Sequence, residues 1–147
     1  MRNENAIRPA GAAVLALAAQ LYAGGFYLQA NKPDSVEARK ANAVLTVKAV
    51  GCHDPAKAAV TATAFGLVNG ERRTIPLKIT ALSEPGTFAI AEQWPREGRW
   101  VIQLAARTDD VVTTTLLKAG PAGVDFGQGK AEMRVFTPDE VDAMLRE

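Results

Sequence analysis

The sequence predicts an all-β protein: an antiparallel immunoglobulin-like β-sandwich of about seven strands, with an N-terminal signal or anchor segment and a short C-terminal helix. Apolar side chains alternate with polar or small ones in several short runs, which is the period of a strand with one buried face. Clusters of Gly, Pro, Asn and Asp separate these runs at intervals of about ten residues, and no helical run lies between them. This spacing is typical of a sandwich.

The first thirty residues differ in composition from the rest of the chain. Arg2 and Arg8 precede an almost uncharged run, Pro9–Ala30, which is the pattern of a secretory signal peptide. Two cleavage positions stay open: after the triplet Ala16-Leu17-Ala18, which matches the small-x-small rule, and after Ala30. If the run stays attached, residues 9–30 are long enough to anchor the protein in the inner membrane. We therefore expect a periplasmic or secreted protein, or one held at the membrane by this segment.

The remainder is long enough for one sandwich domain. Residues 31–42 are predicted to form a linker because Ser35–Asn42 is polar and mostly charged, residues 43–136 the sandwich, and residues 137–147 the helix. Without residues 1–30 the chain keeps 15 of its 17 basic and 15 of its 16 acidic residues, a formal charge of zero. Such a domain lacks the basic surface that nucleic-acid binding requires. No nucleic-acid partner is expected, and membrane contact only through an uncleaved N-terminal segment.

The first strands are predicted from alternation and from the turns that bound them. Val44–Val50 is rich in β-branched residues, and Ala58–Val68 alternates small apolar residues with Thr and Phe. Asn69-Gly70 suits a type I′ hairpin turn, since both residues accept left-handed backbone conformations. Thr74–Leu82 is predicted as the returning strand. Pro76 places it at or near a sheet edge because proline has no N–H to donate to a neighbouring strand.

The middle of the chain, Ser83–Arg107, contains two further predicted strands. Pro85-Gly86 suits the centre of a type II turn, because Pro presets φ and Gly tolerates the positive φ that follows. One strand runs through Phe88. The next begins at Trp100, whose indole is expected to fill the core because it is in phase with the apolar residues that follow.

The end of the chain is predicted to hold a strand whose inward face the alternation leaves undecided, a Gly-rich connection, a last short strand and a helix. These elements are, in order, a turn at Thr108-Asp109-Asp110, a strand at Val111–Lys118, the Gly-rich connection Gly120–Lys130, and the last strand Ala131–Phe136. Thr137-Pro138-Asp139-Glu140 has the form of a capping box with Pro at the first helical position. The apolar residues Val141, Met144 and Leu145 then share one helix face.

One loop, Gly51-Cys52-His53-Asp54-Pro55, holds the only Cys and the only His of the chain. A thiolate and an imidazole suit Cu or Zn, so Cys52, His53 and Asp54 are candidate metal ligands, and a lone exported Cys can also pair with another chain. The alternative is a plain loop with Cys52 buried and His53 exposed. Two or three ligands fall short of a closed structural zinc site, and a blue-copper centre needs a second His.

No catalytic constellation accompanies this loop, so an enzyme is not expected. Adjacent residues of an extended chain point to opposite sides, which separates His53 from Cys52, and no nucleophile elbow exists for a Ser triad. Gly127-Gln128-Gly129-Lys130 resembles the end of a phosphate loop, but Val124 and Ala131 stand where that motif requires Gly and Ser or Thr.

Trp94 stands before Pro95 at a strand end, where an indole can offer a binding surface together with the nearby Arg96 and Arg99. Packing of Trp94 over the open end of the core is the alternative. Arg96 and Arg99 also fit ordinary solvated turns.

The segment Pro85-Gly86-Thr87-Phe88, followed by Trp94-Pro95, Gly98 and Trp100, is similar to a hairpin of exported bacterial immunoglobulin-like domains of the YtkA and CopC type. The resemblance covers residues 83–107 and implies the sandwich fold. For members of the CopC type it also implies copper carriage through His-rich or Met-rich sites near the mature N-terminus. Here Asn31-Lys32-Pro33-Asp34 follows Ala30, without a His.

These observations together predict an exported, non-catalytic binding or accessory module without a bound cofactor. Its partner is expected to be another protein, contacted through exposed strand edges or loops. The alternative is a small periplasmic metal or thiol carrier that uses Cys52 and His53 to hold copper or zinc.

Overall fold

The computed structural model describes residues 25–51, 54–109 and 111–147, and these residues form two antiparallel sheets, one of which carries the C-terminal helix on its outer face. The elements in chain order are β1 Phe26–Asn31, α1 Val36–Lys40, β2 Ala43–Gly51, a 3₁₀ turn at Pro55–Lys57, β3 Ala59–Val68, β4 Glu71–Leu77, β5 Thr80–Ala81, β6 Thr87–Ala91, β7 Arg99–Arg107, β8 Val112–Gly120, β9 Gly123–Glu132 and α2 Pro138–Arg146.

The strand order confirms the predicted immunoglobulin-like sandwich. One sheet has the order β1-β2-β6-β5 and the other the order β4-β3-β7-β8-β9. In immunoglobulin lettering these are A-B-E-D and C′-C-F-G, with β9 added beyond strand G. All the paired strands are antiparallel.

The main core lies between the two sheets. Trp100 is 1% exposed, and its indole N–H donates to the Glu97 carbonyl at 2.8 Å, which confirms its predicted place in the core. Gly66 lies opposite Trp100 on the neighbouring strand β3. A Cβ at Gly66 would lie 2.4 Å from Cζ3 of the indole, so only glycine leaves room for the ring.

A second, smaller core lies on the outer face of the five-stranded sheet, beneath α2. Its buried members are Val101, Leu116, Phe136, Val141, Met144 and Leu145. This layer explains why the central strands β7 and β8 are buried on both faces, and why alternation alone left the inward face of β8 undecided. The predicted capping box and the apolar face of α2 are confirmed.

The predicted turns at Asn69-Gly70 and Pro85-Gly86 are also confirmed. Asn69 and Gly70 have φ values of 51° and 79°, and the flanking residues Val68 and Glu71 pair across the hairpin. Gly86 has φ of 76°, as a type II turn requires. Pro76 lies in β4, which is the edge strand that it predicts.

The start of the folded domain differs from the prediction. Residues 26–30, assigned to the signal or anchor segment, form most of β1, which pairs with β2 from Phe26 opposite Gly51 to Asn31 opposite Thr46. The linker assigned to residues 31–42 contains α1, capped by the Ser35 hydroxyl, which accepts from the Ala38 N–H at 3.0 Å. Glu37 of α1 also accepts from the N–H and the hydroxyl of Ser83. Strand alternation in β1 was hidden by the apolar run that precedes it.

Two strand boundaries were also wrong, and the described residues contain nine strands rather than about seven. The strand predicted at Thr74–Leu82 is two strands in different sheets, β4 and β5, because the chain crosses between the layers at residues 78 and 79. The Gly-rich connection predicted at Gly120–Lys130 is mostly β9, which ends at Glu132, so that residues 133–136 do not form the predicted last strand.

Most of the apolar N-terminal segment, residues 1–24, lies outside the described residues. Within the part of the chain that is described, neither helix has the length and apolar composition to cross a bilayer. The signal peptide and the membrane anchor therefore stay predictions.

Candidate interaction surface

The two sheets have four edge strands among the described residues, β1, β5, β4 and β9, and three of them are poorly suited to accept a further strand. β5 is only two residues long. β4 carries Pro76, which lacks an N–H, and the exposed charges of Arg72 and Arg73. Short length, proline and charge are the features that keep natural sheet edges from pairing with other chains.

β9 is interrupted by a bulge. Leu116 pairs with Lys130 and Lys118 pairs with Asp125, so four residues of β9, Phe126–Gly129, lie opposite the single residue Leu117 of β8. The Asp125 carboxylate accepts from the Gly127 N–H at 2.8 Å and holds the bulge. A bulge bends its strand and breaks the regular row of backbone groups, so it also protects an edge.

β1 has none of these features. Its six residues, FYLQAN, contain no proline and no charged side chain, and they pair with β2 without a register shift. Phe26 and Leu28 point into the core, whereas Tyr27, Gln29 and Asn31 are exposed, with Tyr27 48% exposed. Among the four described edges, β1 is therefore the regular one without charged side chains, and it has none of the features that blunt the other three.

β2, the strand next to β1, also adds no unpaired charge to the outer face of the sheet beside β1. Lys48 lies opposite Gln29 in the register, and its ammonium group forms an ion pair with Glu84. The pKa of the Glu84 carboxyl is lowered because Lys48 donates a hydrogen bond to it. A strand added beside β1 would therefore meet Tyr27 and Gln29 rather than an unpaired charge.

Two shallow grooves flank α2 on the other sheet, with Phe136 between them. The larger, of about 400 Å³, lies over Leu116 and Ala131 and is bordered by Lys130, Arg134 and Glu140. The smaller, of about 170 Å³, lies between Phe65, Gln103 and Val141. Both grooves are open to solvent.

Arg134 and Glu140 close one side of the larger groove. Arg134 donates two hydrogen bonds to the Glu140 carboxylate at 2.6 and 2.8 Å, and its guanidinium lies 5.2 Å from the centre of the Phe136 ring. The pKa of Glu140 is lowered from 4.5 to about 2, first by the Arg134 hydrogen bonds and then by the Thr137 backbone N–H. The ionised carboxylate thus links Arg134, which lies two residues after β9, to the helix cap and the aromatic ring beneath.

Lowering the pH is expected to loosen α2. The folded-state pKa of Glu140 lies below its ordinary value, so the stabilisation is complete above about pH 4.5 and is lost as the pH falls toward about 2. Chemical denaturation at steps between pH 6 and pH 2 measures this loss. Glu140→Gln should make the free energy of unfolding depend less on pH in this range, whereas Glu71→Gln on β4 should leave this pH dependence unchanged. Equal curves for wild type and Glu140→Gln would contradict the assignment.

Cys52 and His53, the candidate metal ligands, lie outside the described residues. Asp54 is exposed and precedes the 3₁₀ turn with a left-handed backbone, φ 50° and ψ 62°. No group of three His, Cys, Asp or Glu residues that could hold a metal is present in the described ranges. The copper, zinc or thiol site stays a prediction.

The proposed surface of Trp94, Arg96 and Arg99 is corrected in one respect. Trp94 is only 6% exposed and belongs to the main core, so its indole packs over the end of the sandwich and offers no binding surface. Arg96 is exposed and lies 3.4 Å from Glu92, and Arg99 donates to the Arg146 carbonyl at the end of α2. The two arginines are held by neighbours of the same chain.

Sequence reasoning missed β1 altogether. The available signal was the alternation of large side chains at Phe26 and Leu28 with Tyr27 and Gln29, just after Gly24-Gly25. This alternation was assigned to the apolar run because Pro9–Ala30 contains no charged residue that would mark the start of a strand.

Comparison of the chain with protein-family models, curated proteins and solved structures found no match. The similarity of residues 83–107 to YtkA and CopC type domains therefore stays a prediction, and the functional argument depends on the surface itself.

Proposed function

We propose that the protein is an exported, non-catalytic binding module that takes up an extended segment of a partner protein as an additional strand beside β1. One observation carries the proposal: among the four described sheet edges, β1 is the one without short length, proline, charge or bulge. Natural proteins usually blunt a sheet edge that is not used for pairing, and β1 carries none of these blunting features.

Strand addition fits the chemistry of this edge. The backbone N–H and C=O groups on the free side of β1 supply the hydrogen bonds, which depend little on the sequence of the partner. Side chains of the added strand would alternate in the same sense as those of β1, with Tyr27 and Gln29 as neighbours on the outer face. The neutral edge favours a partner segment without charges at those positions.

Export is proposed from the sequence alone. Arg2 and Arg8 followed by the apolar run have the pattern of a secretory leader, which would place the module in the periplasm or outside the cell.

Lysines placed on the outer face of β1 are expected to block strand addition. The probe is a fluorescent peptide with the sequence of β2, Ala43–Gly51, because β2 already matches the alternation of β1 on its other side. Binding is measured by fluorescence anisotropy. The double variant Tyr27→Lys/Gln29→Lys should bind the peptide at least about tenfold more weakly, about 1.4 kcal/mol, because charged side chains disfavour an added strand.

Both replaced side chains are exposed, so the double variant should keep its stability to within about 0.5 kcal/mol. Thr74→Lys on the β4 edge is the matched control and should leave binding unchanged. Equal weakening by Thr74→Lys, or no weakening by the β1 variant, would contradict the proposal. Self-association of the wild type that the β1 lysines abolish would identify a second copy of the chain as the partner.

A metal or thiol carrier using Cys52 and His53 is the second proposal. It is tested by titrating the protein with Cu or Zn and comparing Cys52→Ser and His53→Ala. Stoichiometric binding that neither substitution weakens would contradict it.

A further inference from the structure

β1 restricts where an N-terminal leader can be removed. Phe26, its first residue, is 0% exposed in the main core, and Leu28 is also buried there. Cleavage after Ala30 would remove both side chains and leave β2 paired only with β6. A leader compatible with this fold therefore ends before Phe26.

The residues just before β1 form a cleavage motif. Ala23-Gly24-Gly25 places small residues at the third and first positions before Phe26, as leader peptidases require. Ahead of it lie the ten apolar or small residues Ala10–Ala19 and then Gln20-Leu21-Tyr22, and an apolar region of about seven to fifteen residues is typical of a leader.

The alternative motif, Ala16-Leu17-Ala18, fits less well. Only the six residues Ala10–Leu15 precede it after Pro9, which is shorter than the usual apolar region of about seven residues or more. Small-residue motifs nearer the N-terminus are preceded by even fewer apolar residues.

We propose that a leader peptidase cuts the bond between Gly25 and Phe26, so that the mature protein begins with the first residue of β1. Water adds across this peptide bond and leaves a carboxylate on Gly25 and an ammonium group on Phe26. The inference rests on the proposed export and is independent of whether β1 accepts a partner strand.

The packing of β1 also sets the order of events. A Cβ at Gly51 would lie 1.9 Å from the Gly25 carbonyl oxygen, so the two backbones are in close contact once β1 has paired. With Phe26 buried on the other side of the bond, a protease reaches it only before β1 packs. Cleavage therefore precedes completion of the fold.

The test is the N-terminal residue of the full-length gene product after expression in a bacterium that exports it. Intact mass and N-terminal sequencing are expected to show a chain that begins at Phe26. Ala23→Leu, at the third position before the bond, should stop cleavage, whereas the matched change Ala16→Leu should not. A wild-type chain that begins at Ala19, or that keeps residues 1–25, would overturn the proposal.

Peptide binding measured on the same preparations separates this proposal from the function of β1. An uncleaved or differently cleaved chain that still binds the β2 peptide would overturn the processing site and leave strand addition standing. A chain that begins at Phe26 and binds no peptide would support the processing site and contradict strand addition.

Discussion

A chain that begins at Asn31 is expected to be largely unfolded, whereas a chain that begins at Phe26 should fold. Burial of Phe26 and Leu28 contributes about 1.5–3 kcal/mol for each side chain. The hydrogen bonds between β1 and β2 contribute about 0.5–1.5 kcal/mol each. Together these losses approach the whole stability of a domain of this size, about 5–15 kcal/mol.

Far-UV circular dichroism and urea denaturation of the two chains measure the difference. In the chain that begins at Phe26, Leu28→Ala should reduce stability by about 2–5 kcal/mol, whereas Gln29→Ala, on the exposed face, should change it little. A cooperative transition of normal amplitude for the chain that begins at Asn31 would show that β1 is not part of the fold's core.

Trp100→Ala is expected to destabilise the protein by about 3–5 kcal/mol, because it removes the largest fully buried side chain and leaves a cavity between the sheets. The loss includes the indole hydrogen bond to the Glu97 carbonyl, whose oxygen loses its donor. Tyr27→Ala, which truncates an exposed aromatic side chain of β1, should change stability by no more than about 0.5 kcal/mol.

A double-mutant cycle with Gly66 tests the packing directly. Gly66→Ala alone should cost about 1–3 kcal/mol, since its methyl group would overlap the Trp100 ring. In the Trp100→Ala background the same methyl group has space, so its cost should fall by at least about 0.5 kcal/mol. Purely additive effects in guanidinium denaturation would show that the two residues do not share this contact.

The features that sequence predicted well are those decided by local chemistry. Asn69-Gly70 requires two left-handed residues, Pro76 forbids a central strand, and Thr137 with Glu140 satisfies the first N–H groups of a helix. Each depends on the residue itself and on its nearest neighbours, so the pattern survives without knowledge of the fold.

The features that it missed depend on packing between distant segments. β8 looked ambiguous because α2, some twenty residues further along the chain, buries its outer face. The crossing between β4 and β5 carries no Gly or Asn signal, and β9 contains three glycines that favour a loop until β8 pairs with it. Such contacts decide the secondary structure only after the sheets have formed.

The sequence predicted the type of candidate surface, a strand edge, but not which strand forms it. Strand edges were expected to mediate binding, but β1 itself was assigned to the leader, because its neutral residues continue the apolar run before it. Trp94 looked exposed beside Pro95, yet it closes the end of the core. The exposure of a side chain depends on which elements pack over it, and neither the alternation of residues nor a neighbouring proline indicates this.

The four-residue bulge in β9 limits how copies of this molecule can assemble. With β4, β5 and β9 protected among the described strands, two molecules that joined through β1 would each have this edge occupied by the other. The resulting pair is closed by two-fold symmetry, and among the described strands a third molecule finds no regular edge from which a filament could grow.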